Sequence, residues 1–411
     1  MSKKKIIPEL NIGLIGHVDH GKTTLVKDLS GKWTDTHSEE KKRGITIRLG
    51  YANVAVYECP KCKSPNRYSV SEKCPTCGSK GKLARAFSLV DAPGHESLMA
   101  TMLAGTTIMD GALLLIAADE ECPQPQTREH MMALEIVGIK NLIVVQNKID
   151  LVTQERAMES YKEIKDFLKG TSFEGSTIVP VSALHSVNIN ILLETIMNEI
   201  PVPKRDETKD PLMFAARSFD INRPGTDVEE IHGGVIGGAL KQGILKVGDE
   251  VEIKPGVKIS RKGRDYWEPL RSKIVSMQTG ETKISKATPG GSIAIETLLD
   301  PFYVKSDSLM GNVVGHVGKL PPVREELDLQ VNLLERVVGS AEEVDVEPIK
   351  MGEPLMLNVN SAATVGTVTA LGKDVIKCKL KIPVCAEKGS RITVSRVIGN
   401  RWRLIGYAII K

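Results

Sequence analysis

The sequence predicts a doubly wound α/β domain with a cysteine-bearing insert, followed by two all-β barrel domains. Three observations predict it. Residues 10–200 alternate short apolar runs with helical segments, a glycine-rich loop follows the first of those runs at 16–23, and beyond residue 211 helical periodicity is almost absent. Strand–helix alternation with continuous apolar strands argues for a mostly parallel sheet. The later runs GGVIGGAL, KVGDEVEIKPG and GGSIAIETLLDP, β-branched and broken by Gly and Pro, argue for antiparallel barrels.

Length and composition agree with several domains. At 411 residues the chain exceeds what one hydrophobic core serves. Apolar residues make up 41% and charged residues 26%, while aromatics are only 4%, so the cores must be built from Val, Ile and Leu. A net charge of +4 and a pI near 8.5 are compatible with RNA contact. They fall short of the roughly pI 9 of a committed nucleic-acid domain, and no DNA partner is expected. The start, MSKKKIIPEL, lacks the apolar run of a signal peptide, and the longest apolar run is Ala112–Ala118. No membrane partner is expected. Seven cysteines, four of them in two CxxC pairs, suggest metal rather than disulfides, and hence a cytoplasmic protein.

The expected strands are Leu10–Gly16, Ala86–Asp91, Ala112–Ala118, Leu142–Gln146 and Thr177–Val181. Helices are expected at Lys22–Leu29, Gln126–Ile136, Gln154–Leu168 and Ile189–Ile200. The proline-rich, charged stretch PVPKRDETKDP at 201–211 reads as a linker, and KLPPVRE at 319–325 as a second break. The expected domains are 1–205, with the insert at about 57–82, then 206–320 and 321–411.

Gly16-His17-Val18-Asp19-His20-Gly21-Lys22-Thr23 matches G-x-x-x-x-G-K-[ST] directly after an apolar strand. Its glycines let backbone N–H groups face phosphates. Lys22 supplies charge to the β and γ phosphates, and the Thr23 hydroxyl suits Mg²⁺. Asp91-Ala92-Pro93-Gly94 ends another strand, so Asp91 can reach Mg²⁺ through water and the Gly94 N–H can report on the γ phosphate. Asn147-Lys148-Ile149-Asp150 ends a further strand. The Asp150 carboxylate can accept from N1–H and the 2-amino group of guanine, donors that adenine lacks. Backbone N–H groups of Ser182-Ala183-Leu184 can read O6. Asp19, His20, Gly21, Lys22, Thr23, Thr24, Asp91, Gly94, Asn147, Lys148, Asp150, Ser182, Ala183 and Leu184 are therefore the expected nucleotide set. His17 and His20 are read as shaping the loop, and His130 and His185 as structural.

Cys59-Pro-Lys-Cys62 and Cys74-Pro-Thr-Cys77 are separated by eleven residues. Four thiolates complete a closed tetrahedral Zn²⁺ site with no open position, which makes the metal structural. A redox dithiol is the weaker alternative. Cys122, Cys378 and Cys385 lack ligand spacing. The fold class expected is an α/β P-loop GTPase domain with a zinc-binding insert, followed by two all-β barrel domains.

With these motifs in place the chain resembles the translational GTPases related to elongation factor Tu. Within them it is similar to the gamma subunits of archaeal and eukaryotic translation initiation factor 2. The resemblance rests on GHVDHGKTTL at 16–25, RGITI at 43–47, DAPGH at 91–95, QTREH at 126–130, NKID at 147–150 and SAL at 182–184. It continues through RSFDINRPGT at 217–226, LLERVVG at 333–339 and RWRLIGY at 401–407. It implies Thr46 as a Mg²⁺ ligand dependent on the γ phosphate, and His95 as the residue that orients the attacking water. A carboxylate at Asp19 would be repelled by the γ phosphate unless a cation lay between, which suggests a second Mg²⁺ held by Asp19 and the Gly44 carbonyl.

The resemblance further implies hydrolysis of GTP to GDP and phosphate, and a heterotrimer with alpha and beta subunits. The implied cargo is methionylated initiator tRNA, delivered to the small ribosomal subunit. An elongation-type carrier of ordinary or selenocysteinyl tRNA is one alternative, and the GTPase subunit of a sulfate-activating enzyme is another. The basic clusters Arg261–Arg264 and Arg401–Arg403 could face tRNA or be solvated turns. No arginine finger is evident in cis, so weak intrinsic hydrolysis is expected.

Overall fold

A computed structural model of the chain describes residues 6–34, 46–261, 263–337 and 345–411. Gly44 lies outside them. The described chain divides into two compact units, the first ending at Pro203 and the second beginning at Lys204.

In the first unit seven described strands form one sheet. They are β1 (Asn11–Gly16), β2 (Gly50–Glu58), β3 (Tyr68–Ser69), β4 (Lys82–Asp91), β5 (Gly111–Ala117), β6 (Leu142–Asn147) and β7 (Ile178–Pro180), in the order β3-β2-β4-β1-β5-β6-β7. β4, β1, β5, β6 and β7 run parallel, while β2 is antiparallel to β4 and β3 to β2. β1 and β5 are buried along their whole length, as the central strands of a parallel sheet are. Each such Leu or Ile contributes about 1.5–3 kcal/mol by leaving water. The strand order turns back at β1, and that switch point opens a crevice at the strand ends.

Five described helices accompany the sheet: α1 (Lys22–Ser30), α2 (Met99–Thr106), α3 (Pro125–Val137), α4 (Gln154–Leu168) and α5 (Ile189–Glu199). Pro125 at its first turn and left-handed Gly138 at its end bound α3. The Thr153 side chain caps α4 by accepting from the Arg156 N–H. β2 and α2 were not among the expected elements.

The second unit holds two closed barrels. In the first, β8 (Leu212–Phe219), β9 (Val235–Gln242), β11 (Glu250–Arg261), β12 (Arg264–Thr279), β15 (Ser292–Thr297) and β16 (Val313–His316) pair in the order β11-β16-β8-β9-β15-β12. The β11–β12 ladder closes the ring. The short strands β10 (Leu245–Lys246), β13 (Thr282–Ile284) and β14 (Lys286–Ala287) lie between them in sequence. The second barrel runs β17 (Val323–Leu333), β20 (Ile376–Cys385), β19 (Ala362–Leu371), β18 (Pro354–Val359), β21 (Arg391–Ile398) and β22 (Arg401–Ile410). Period-two alternation turns Leu355, Leu357 and Val359 into the second core along with Ile392 and Val394. Cys378 is part of that core. Burial pushes its thiol up to about 11 and that of Cys385 up to about 12, as expected of inert cysteines.

Candidate nucleotide site and cysteine cluster

The loop between β1 and α1 turns on three left-handed residues, Gly16 at φ 142°, Asp19 at 63° and Gly21 at 88°. A side chain at Gly16 would stand 2.4 Å from the Leu115 carbonyl oxygen, so only glycine fits where β1 leaves the sheet. The Gly16 N–H donates to His130 Nδ1 at 3.1 Å. Burial, helped by the Lys22 charge, pushes His130 down to about 3, so the ring stays neutral and keeps the lone pair that accepts this bond. His20 is fully buried and donates from Nδ1 to the Leu115 carbonyl at 2.9 Å. Both histidines shape the loop.

Lys22 Nζ donates to the Gly16 and His17 carbonyls at 2.9 and 2.6 Å. That curls the ammonium over the loop mouth. Thr23 Oγ1 lies 3.2 Å from Thr46 Oγ1 and donates to Asp91 Oδ2 at 2.9 Å. The structure thus brings Thr23, Thr46 and Asp91 together from α1, the segment before β2 and the end of β4. Gly94 closes against the phosphate loop: a β-carbon there would lie 2.5 Å from Lys22 Nζ and 2.7 Å from the Gly16 oxygen. A cavity of about 230 Å³ opens here, lined by Asp19, Gly21, Lys22, Thr23, Thr24, Thr46, Gly94 and His95 together with Val18 and Trp33. A shallower depression of about 1010 Å³ over the first turns of α4 brings together only side chains of one helix.

Asn147 joins the loop to the base-side segments. Its Nδ2 donates to the His20 carbonyl at 2.9 Å, and its Oδ1 accepts from the Ala183 N–H at 3.0 Å. Lys148 is left-handed at φ 61° and reaches Asp119 at 3.5 Å. Asp150 Oδ2 lies 3.7 Å from His185 Nε2. The Ser182 N–H donates to the Val187 carbonyl, and its buried hydroxyl accepts from the His185 N–H. Of the Ser182-Ala183-Leu184 segment, exposed Leu184 is the residue whose N–H meets no acceptor among the described residues.

His95 is exposed. Its Nδ1 accepts from the Ser97 N–H at 3.2 Å and meets the Ser97 hydroxyl at 2.8 Å, so a neutral ring carries its proton on Nε2. Two residues of this site gave no motif signal. Trp33 lines the cavity beneath Lys27, and Thr34 donates to Asp91 Oδ2 at 2.8 Å.

The four Sγ atoms of Cys59, Cys62, Cys74 and Cys77 lie within 4.8 Å of one another. Cys59 and Cys77 stand 3.4 Å apart, and Cys62 and Cys74 3.8 Å. Tetrahedral sulfurs about 2.3 Å from one Zn²⁺ sit roughly 3.8 Å apart, so the cluster fits that ion. The Cys62 N–H points at Cys59 Sγ at 3.4 Å, and hydrogen bonds from Ser79 lower the Cys77 thiol to about 6. The insert is stapled to α5, where Ser64 donates to Glu194 at 2.9 Å and Asn190 donates to the Pro65 carbonyl at 3.1 Å.

Loop, hydroxyl cluster and two following barrels define a translational GTPase of the elongation factor Tu class. The elongation factor Tu GTP-binding domain matches residues 8–202, and the C-terminal domain of initiation factor eIF2 gamma matches residues 325–410. Translation initiation factor 2 subunit gamma of Methanothermobacter thermautotrophicus is 57% identical over 98% of this chain and 99% of its own length. The same subunit of Methanocaldococcus jannaschii is 54% identical over 100% of both chains. This chain belongs to the family of translation initiation factor 2 gamma subunits. It is a GTP-binding initiation factor that hydrolyses GTP.

A bacterial selenocysteine-specific elongation factor superposes with a TM-score of 0.74 at 26% identity, covering 98% of this chain and 58% of that chain. The elongation factor SelB of Methanococcus maripaludis shares the fold with a TM-score of 0.71 at 21% identity, over 100% of this chain and 80% of that one. Full-length identity to initiation-factor subunits does not favour the elongation and sulfate-activating alternatives. No described helix is long and apolar enough to cross a membrane.

Proposed function

We propose that this chain is the nucleotide switch of a cytoplasmic three-subunit initiation factor. With alpha and beta subunits, its GTP-bound form carries methionylated initiator tRNA to the small ribosomal subunit. The observation that carries the reading is identity of 57% to a gamma subunit across 98% of the chain. The division of labour follows the expected domains, with residues 1–205 reading the nucleotide and the barrels at 206–320 and 321–411 serving the cargo and partner subunits.

Lys22 and the loop N–H groups bind the β and γ phosphates. Thr23 and Thr46 would hold Mg²⁺ directly and Asp91 through water, and the ion supplies the charge neutralisation that phosphoryl transfer needs. Asp19 and the Gly44 carbonyl would hold a second cation that relieves repulsion at the γ phosphate. Asp150 selects guanine. Asn147 and Lys148 support that pocket, together with the turn at Ser182, Ala183 and Leu184. The proton on His95 Nε2 makes the ring a donor, so it orients the attacking water rather than deprotonating it. Cys59, Cys62, Cys74 and Cys77 hold structural Zn²⁺.

The test is GTP-dependent binding by the assembled factor of methionylated initiator tRNA, elongator tRNAs and deacylated tRNA. Strong preference for the first is expected. Equal affinity for elongator and initiator species would overturn the reading.

A further inference from the structure

Two threonine hydroxyls converge on one oxygen of Asp91. Thr23 Oγ1 donates to Oδ2 at 2.9 Å, and Thr34 Oγ1 donates to the same atom at 2.8 Å. Thr34 is no part of the phosphate loop. It follows the end of α1, where left-handed Gly31 at φ 71° donates its N–H to the Lys27 carbonyl and turns the chain back. The Lys32 N–H then donates to Ser30 Oγ at 3.1 Å, and Lys27 sits over the Trp33 ring at 5.3 Å. These contacts aim Thr34 at the buried end of β4.

The opposite wall is shaped to receive it. Gly50 opens β2 and pairs with Asp91 in the antiparallel ladder. A β-carbon on Gly50 would lie 2.7 Å from Thr34 Cβ and 3.2 Å from Asp91 Cβ. Space at this sheet position is therefore taken by Thr34, and residues distant in sequence cooperate to place its hydroxyl on the carboxylate.

We propose that Thr34 is a positioning residue for magnesium: it holds the Asp91 carboxylate in the orientation the ion's hydration shell needs. A carboxylate oxygen has two lone pairs in its plane. Thr34 occupies one on Oδ2, and Thr23 can keep its proton on the other while its own lone pair faces the cation. With Thr34 bonded, rotation of the carboxylate would break a charge-assisted hydrogen bond, so the orientation precedes metal binding rather than following it. This inference rests on the reading of Asp91 as part of the magnesium site.

The experiment follows release of a fluorescent GDP analogue from the full chain as Mg²⁺ is titrated, and again in excess EDTA. Thr34→Val keeps the shape and removes the hydroxyl, Thr34→Ser restores it, and Gly50→Ala crowds Thr34 away from Asp91. In Thr34→Val and Gly50→Ala, the Mg²⁺ concentration that half-suppresses release is expected to rise about tenfold, the scale of one hydrogen bond to a charged group. Thr34→Ser should stay within about twofold of the parent, and release in EDTA should be unchanged in all four chains. A Thr34→Val chain that titrates like the parent overturns the proposal. So does faster release in EDTA by the same factor, which would mark a general structural role. If Mg²⁺ fails to slow release from the parent chain, the magnesium reading of Asp91 falls first and the positioning role falls with it.

Discussion

Asn147 occupies the space that a side chain on Gly21 would need: its Nδ2 lies 2.3 Å from where that β-carbon would stand. The same amide bonds the His20 carbonyl on one side and the Ala183 N–H on the other. One buried side chain therefore sets the distance between the phosphate loop and the base-side turn. Asn147→Ala leaves two backbone groups without partners, at about 1–3 kcal/mol each. GTP and GDP affinity should fall together by about 100-fold, with a lower melting temperature. Titration calorimetry that finds only one of the two nucleotides weakened would contradict this coupling.

His95 presents the opposite case. The described bonds of its side chain are to Ser97, and none of them reaches the phosphate loop. His95→Ala should leave GTP affinity within about twofold while activator-stimulated hydrolysis falls by about 100-fold, the scale of losing one positioned hydrogen-bond donor. Intrinsic hydrolysis should already be slow. A matched loss of binding and hydrolysis would make His95 a structural residue.

The cysteine insert should depend on its metal. Elemental analysis is expected to find one zinc per chain, and Cys59→Ser or a strong chelator should release it. The excursion has little apolar core of its own, so protease cleavage between β2 and β4 should then appear. GDP binding should persist, because the cluster shares no residue with the phosphate loop. A chain without zinc that resists cleavage there would show that the insert folds unaided.

His130 gives stability a pH dependence of definite sign. Its pKa is about 3 in the folded chain, against an ordinary value of 6.5 in the unfolded one. Between those values the unfolded state binds a proton that the folded state refuses. Its contribution is complete above pH 6.5 and is lost as pH falls toward 3, at roughly 1.4 kcal/mol per pH unit. His130→Gln should flatten the denaturant-derived stability profile across that window by one proton. An unchanged slope would mean the ring is already charged in the folded state.

The phosphate loop was legible because strand, turn and helix follow one another without interruption. The expected helix at Gln154–Leu168 has the observed bounds, since amphipathic spacing and Thr153 mark it locally. α2 was not legible. Its MATMLAGT is buried almost all round, so it carries no periodic stripe. β2 inserts only Ala52, Val54 and Val56 into the core, an alternation too weak to stand out beside the continuous runs of β1 and β5. The tie between Gly16 and His130 joins residues 114 positions apart, and Thr34 reaches Asp91 across 57. No spacing rule encodes such pairs, because they arise only when the sheet brings its strand ends to one crevice.

Closure of both barrels has a consequence for self-association. A ring of strands offers no unpaired backbone row on which another chain could template a strand. Among the described residues the short strands β10, β13 and β14 lie outside the rings, and the sheet of the nucleotide domain ends in two short strands. β3 contributes two residues, and β7 contributes three ending at Pro180, which has no N–H to donate. Strand addition by another chain at these two described ends should therefore be slow, even when the factor is heated.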